Sequence, residues 1–181
     1  AFLFAPMMHQ AMRFAIGPRR EIGIRTIFNV LGPLTNPAGV KAQIMGVYSA
    51  DLTSLLARAL GNLGVTRAFV VHGMDGLDEI TITERTKVSE LKDGSVNEYY
   101  VHPSDFDLPT GKAGDLKGGD AKENAAITLA VLKGELAPRR DIVLLNAAAG
   151  LTAAGKAKDL RDGIRLAGDA IDSGAALKKL E

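Results

Sequence analysis

The sequence predicts an α/β fold, a mixed, mainly parallel β-sheet flanked by helices, and three patterns carry that expectation. An apolar run at Ala42–Tyr48, a leucine-rich segment at Leu52–Leu63 and a second apolar run at Arg67–His72 follow the order of a βαβ unit, which implies parallel strands. Apolar residues then alternate at Ile80 and Ile82, and again at Val88, Leu91, Val96, Tyr99 and Val101. Lys92-Asp93-Gly94 supplies a turn among them, so two or three strands including an antiparallel hairpin are expected. Beyond Asp120 the chain returns to helix. With 181 residues, 46% of them apolar, and no repeat or low-complexity linker, residues 1–181 read as a single α/β domain.

Charge and composition exclude several classes of function. The formal net charge is +1, which gives no bulk attraction to nucleic acid or to an anionic membrane. The absence of cysteine rules out a disulfide framework and thiolate chemistry, and no apolar run is long enough to span a bilayer. A cytoplasmic protein is expected. The chain opens on Ala1 within the apolar stretch AFLFAP, where a natural terminus is more often polar, so it is expected to be a fragment of a larger catalytic domain.

Taken in order, Phe2–Ala5 reads as a short buried strand ended by Pro6. Met7–Ile16 then follows a helical pattern, with Met8, Ala11, Met12 and Ala15 on one face and His9 beside it. Gly17-Pro18 is expected to break that helix and present Arg19 and Arg20. The stretch Gly23–Gly39, GIRTIFNVLGPLTNPAG, mixes core residues such as Ile27, Val30 and Leu31 with Arg25, Asn29 and several turn formers. Pro33 and Pro37 fix their own φ and push the preceding residue toward extended geometry, which predicts a stiff loop over Gly32–Pro37. Such a loop beside a buried segment is a good place to hold a ligand, although an irregular link between helices needs no more.

Asp51 is placed to cap the helix Leu52–Leu63, whose leucines at 52, 55, 56, 60 and 63 form one stripe, and Gly64 closes it. Ligands of parallel sheets sit beyond the strand C-terminal ends, and the segment His72–Glu79 falls there with its acidic groups. Pro103–Gly119 is loop-like. Asp120 and Glu123 fit a capping box for a helix running through Lys133, which accounts for both without a ligand; Gly118 and Gly119 could still approach a phosphate there. Arg139–Ala153 and Asp159–Leu180 read as two further helices. Asn146 is expected to be a buried, hydrogen-bonded packing residue, and Ala147–Gly150 a close helix contact.

Six stretches, in order, carry a family resemblance: FLFAPMMHQAM (2–12), GPRREIGIRT (17–26), GIRTIFNVLGPLTNPAG (23–39), VHGMDGLDE (71–79), GGDAKENA (118–125) and NAAAGL (146–151). Together they resemble the anthranilate phosphoribosyltransferases, nearly end to end. The resemblance implies a nucleoside phosphorylase/phosphoribosyltransferase-like catalytic domain that is Mg2+-dependent, joining anthranilate to phosphoribosyl pyrophosphate (PRPP) in tryptophan biosynthesis. The mechanism that the resemblance implies is attack of the anthranilate amine on the ribose anomeric carbon as pyrophosphate leaves, through an oxocarbenium-like transition state. It also implies that Arg19 contacts anthranilate, whose carboxylate a guanidinium fork matches in charge and plane. His9 and Pro33 would border the same substrate site, and Asp78 and Glu79 would hold magnesium. No residue is cast as a nucleophile.

The family's glycine-rich pyrophosphate loop, its Lys-His-x-Asn motif and its N-terminal helical region have no counterpart here. The isolated chain is therefore expected to be inactive or very weak, and its intact parent a homodimer. Two alternatives remain open: a pyrimidine nucleoside phosphorylase-like enzyme, against which LGPLTNP and the setting of Arg19 argue, and a non-catalytic nucleic-acid-binding paralogue, which would need a basic excess that a +1 chain lacks.

Overall fold

Four strands pair in sequence order, β1 (Ala42–Gly46), β2 (Arg67–Gly73), β3 (Thr86–Lys92) and β4 (Ser95–Val101). β1 and β2 are parallel, with Ala42 opposite Arg67, while β2–β3 and β3–β4 are antiparallel. The computed structural model describes residues 13–24 and 26–180. The strand expected at Phe2–Ala5, together with His9 and Arg25, lies outside the described residues, as do the side chains of Arg19 and Arg20.

The sheet is mixed and flanked by helices, as predicted, because β2 is apolar on both faces. Ala68 and Val70 pack with Met45 and Leu91 against Leu56, Ala57 and Leu60 of α3 (Leu52–Asn62). Phe69 and Val71 point the other way, into a cluster with Val88, Val101 and Leu145 and Ala149 of α5 (Pro138–Ala153). The hairpin turn is built as expected: Asp93 at φ 50 and Gly94 at φ 78 are both left-handed, the geometry of a two-residue turn that follows strand twist. The remaining helices are α1 (Arg13–Ile22), α2 (Phe28–Leu34), α4 (Ala121–Leu132) and α6 (Leu160–Asp172).

Several expectations are corrected. α1 continues through Gly17-Pro18, and α2 contains Pro33, so neither proline starts a loop. The physical reason is shared. The bias against helix before proline comes partly from a clash with the preceding Cβ, and both prolines follow glycine, which has none. The turn begins later, at Asn36–Gly39, where Asn36 Oδ1 accepts from Ala38 N (3.0 Å) and its carbonyl from Gly39 N (3.1 Å). Asp51 precedes α3 but makes no side-chain capping bond. Nor do the five leucines share one buried face: Thr53, Leu56, Ala57 and Leu60 face the sheet, whereas Leu55 and Leu63 are 61% and 59% exposed. Asp159 does cap the last helix, accepting from Asp162 N at 2.8 Å, but that helix stops at Asp172; Gly174, at φ 74, turns the chain into a short 3-10 segment at Leu177–Lys179. Close helix packing falls at Ala148, where a Cβ on Gly163 would sit 2.8 Å from the Ala148 backbone, while Gly150 faces open space.

Candidate functional site

β2 ends at Gly73, and the seven residues that follow fold into a loop clamped on three sides. Within the loop, Gly73 N donates to Leu77 O and Gly76 N to Gly73 O, both at 2.8 Å. The Asp75 carboxylate closes it. Oδ1 accepts from Leu77 N (3.1 Å), and Oδ2 accepts the hydroxyls of Thr81 (2.5 Å) and Thr83. Burial alone would raise the Asp75 pKa; the two hydroxyls and the Leu77 amide more than offset it, and the group is held below the ordinary aspartate value.

The second clamp comes from β1. A Cβ built on Gly46 would lie 1.5 Å from the Asp78 carbonyl oxygen, so the Asp78 main chain rests directly on the last residue of β1. The Val47 carbonyl just beyond accepts from His72 Nδ1–H at 2.7 Å, which ties the ends of β1 and β2 together. The third clamp is Asn146. Its Oδ1 accepts from Ile80 N (3.0 Å) and its Nδ2 donates to Ile80 O and Ile142 O (2.9 Å each), so α5 reads one residue of the loop on both its donor and its acceptor. The hydrogen-bonded packing role expected of Asn146 is met, with the residue half-buried rather than buried.

Asp78 and Glu79 are carried side by side on this fixed backbone, with both residues exposed. Partial desolvation, and then the neighbouring charge of Asp78, push the Glu79 carboxyl above its ordinary range. Glu79 also lines a cleft of about 390 Å³, together with Leu77, Gly118, Asn124, Arg139 and Ile142. Arg139 is oriented there by its bond to Lys117 O (2.7 Å). Among the described residues no group of three or more histidine, cysteine or acidic side chains gathers as a self-sufficient metal cage.

The glycine doublet bordering the cleft has a local explanation. Asn124 Oδ1 accepts from Gly119 N and Nδ2 donates to Gly119 O, both at 3.0 Å, and a Cβ on Gly118 would meet that amide oxygen at 2.5 Å. Asp120 Oδ1 caps α4 through Glu123 N at 2.8 Å, which is one half of the expected capping box, the half made by Asp120. Gly118 therefore admits the Asn124 side chain and Gly119 that of Glu123.

Of the predicted site residues, Asp78 and Glu79 stand together at the strand end, and Glu79 shares its cleft with Gly118. Pro33 is exposed on α2, which Val30 and Leu34 anchor to the cluster containing Met45 and Val47; it does not line the Glu79 cleft. His9 lies outside the described residues; Arg19 is on α1, its side chain likewise outside them. Sequence reasoning missed the supports, Gly46, Asp75, Thr81 and Thr83. Only the Asp-Gly pair within MDGLDE hinted at a built turn.

A strand-end loop bearing adjacent carboxylates, on a mixed sheet with helices on both faces, defines a class, and the sequence agrees with it. Residues 1–177 match the glycosyl transferase family, a/b domain, and the chain belongs to that family. Its relatives narrow the class. An anthranilate phosphoribosyltransferase of Geobacter sulfurreducens is 58% identical over 180 residues, which is 99% of this chain and 51% of that protein. The crystal structure of the anthranilate phosphoribosyltransferase from Thermus thermophilus superposes with a TM-score of 0.91 at 42% identity, covering 99% of this chain and 53% of that one. The Saccharomyces cerevisiae enzyme in complex with PRPP and Mg superposes at 0.88 with 33% identity, covering 99% and 52%. The chain thus spans about half the length of the relatives it matches. No helix among the described residues is long and apolar enough to cross a membrane.

Proposed function

We propose that this protein is the α/β part of an anthranilate phosphoribosyltransferase, transferring phosphoribosyl from PRPP to the anthranilate amine with release of pyrophosphate. The reading includes a place in cytoplasmic tryptophan biosynthesis and a homodimeric assembly. The observation that carries it is the clamped Asp78-Glu79 loop, set in a frame that superposes on an enzyme holding PRPP and Mg.

The donor set fits a hard divalent cation. Magnesium takes one or two carboxylates and completes its shell with water and substrate phosphate, so it needs no protein cage. Glu79, whose carboxyl is raised first by partial burial and then by the adjacent Asp78, stands beside that second acid on the same loop. Asp78 and Glu79 would hold Mg2+, which when bound offsets charge on the departing pyrophosphate. The rest of the work is positioning. Asp75, Gly46 and Asn146 hold the carboxylates in place; Arg19 pairs with the anthranilate carboxylate and so sets the direction of its amine; His9 and Pro33 border the ring. No protein nucleophile is needed, because the substrate amine is itself the attacking group.

The test follows anthranilate fluorescence on addition of PRPP and Mg2+, in the longest natural form of the protein and alongside in these 181 residues. Loss of fluorescence in the longer form, abolished by Glu79→Gln with Asp78→Asn, is the expected result. No loss in either form would sink the assignment.

A further inference from the structure

The last side chain of β2 before Gly73 is His72, and the clamp uses only one of its two ring nitrogens. Ala68, Val70 and His72 point to one face of the strand, the face packed on α3 and, through Val30, on α2. His72 closes that row and is 9% exposed. Its Nδ1 bonds the Val47 carbonyl at 2.7 Å. A carbonyl only accepts, so Nδ1 carries the proton, and Nε2 of the neutral ring bears a lone pair.

Nε2 makes no hydrogen bond among the described residues, and it is not one of the buried polar atoms sealed from solvent. The ring is held by one nitrogen and presents the other, as an acceptor, at the C-terminal end of the strands. The bond to Val47 needs only a donor, which a side-chain amide would supply. The second nitrogen is surplus to packing.

The neighbours of His72 tie it to the proposed reaction. Gly46 bears the Asp78 main chain, and the next residue, Val47, holds His72, so adjacent residues at the end of β1 fix both the acidic loop and the histidine. Val47 is packed in the cluster that anchors α2, which carries Pro33. The acids nearby have other tasks: Asp78 and Glu79 are given to the cation, and Asp75 accepts from Leu77, Thr81 and Thr83. In the transfer, the amine is the group that must lose a proton. Its nitrogen takes a fourth bond as it joins the anomeric carbon and stays positively charged until an N–H is given up.

Resting on that transfer reading, we propose that His72 is a catalytic residue of the site: Nε2 accepts a hydrogen bond from the arylamine N–H and takes its proton as the bond to the anomeric carbon forms. The electron pair of the broken carbon–oxygen bond leaves with pyrophosphate, and the imidazolium returns its proton to solvent from Nε2. The Nδ1–H bond to Val47 persists in both protonation states, so the ring keeps its aim.

Two substitutions separate the nitrogens. His72→Asn keeps a donor where Nδ1 stands and has nothing at Nε2, whereas His72→Gln reaches the Nε2 position with an amide and gives up the bond to Val47. In the longest natural form, His72→Asn should unfold in urea as the parent does and keep the KM for PRPP, with kcat lowered about 100-fold, the lower end of what a general base contributes. His72→Gln should be impaired at least as much. A purely structural histidine predicts a near-parental His72→Asn and a damaged His72→Gln. Independently of turnover and of how the variants fold, histidine 15N NMR of the parent, at a pH above the ordinary histidine range, should show a protonated Nδ1 and an unprotonated Nε2. Nε2 should be the ring nitrogen that shifts when anthranilate is added with Mg2+ and pyrophosphate, a mixture that cannot react. The role is overturned by an Nε2–H tautomer, by an Nε2 signal that anthranilate leaves unmoved, or by an active parent whose His72→Asn variant turns over at the parental rate. A parent that consumes no anthranilate overturns the transfer reading, and this role falls with it.

Discussion

Gly46 is the residue at which a single methyl group should disturb the acidic loop without touching its acids. An alanine Cβ there would lie 1.5 Å from the Asp78 carbonyl oxygen and 2.5 Å from its carbon, and both are backbone atoms that no rotamer change can move. Ordinary contact begins at 3.4 Å, so Asp78 must retreat by about 1.9 Å or β1 must shift by as much. Retreat is resisted on the far side, where Ile80 is bonded to Asn146 through both its N–H and its C=O. Overpacking against such a support costs about 1–3 kcal/mol. Displacing the two carboxylates by more than about 1 Å should lower transfer activity on the order of 100-fold. The assays are urea unfolding of the Gly46→Ala protein beside the parent, Mg2+ titration by calorimetry in the presence of PRPP, and the anthranilate fluorescence assay in the longest natural form. If the variant keeps parental stability, Mg2+ affinity and turnover, the backbone contact between β1 and the loop does not position the acids, and the clamp argument fails.

Three further outcomes follow from the same loop. Asn146→Ala orphans the N–H and C=O of Ile80, a residue 1% exposed, and should cost about 1–3 kcal/mol for each group, read by chemical denaturation; a loss under about 1 kcal/mol would show that water replaces the amide. Asp75 has a lowered pKa, so it contributes stability above its ordinary value of 3.8 that disappears as pH falls through the folded value; Asp75→Asn should remove that acid limb from a stability–pH curve, and an unchanged limb would contradict the assignment. Glu79 has the opposite sign. Its raised pKa means that stability present below 4.5 is lost as pH rises through the folded value, and that Mg2+ affinity falls as pH drops back through it. Thermal melts with and without Mg2+ should show the cation cancelling the loss, and Glu79→Gln should flatten both dependences.

The frame was legible because its signals are local and periodic. Apolar runs around Leu56 and Leu60 gave the parallel pair, and the Asp93-Gly94 turn between alternating strands gave the hairpin. The position of Asp78 and Glu79 followed from strand direction alone. The misreadings came from places where one residue cancels another's usual effect. Gly17 and Gly32 removed the steric reason for Pro18 and Pro33 to end helices, and the small side chains of Thr53 and Ala57 drew α3 onto the sheet by a face that leaves Leu55 outside. Asn146 was legible as a hydrogen-bonded packing residue but its partner was not, and Gly46 not at all as a support, because Gly46 with Asp78 and Asn146 with Ile80 are pairings across long stretches of chain.

The Asn146–Ile80 clasp also bears on the order of assembly. Among the described residues every strand pairs with its neighbour in sequence, so this sheet forms through shorter-range steps, whereas the clasp joins residues 66 positions apart and must wait until α5 docks. A pulse-labelling experiment that found the Ile80 amide protected as early as those of β2 would contradict this sequence of events. A chain emerging from synthesis thus pairs these four strands while the acidic loop is still loose, and the proposed divalent-ion site takes shape only when α5 has arrived.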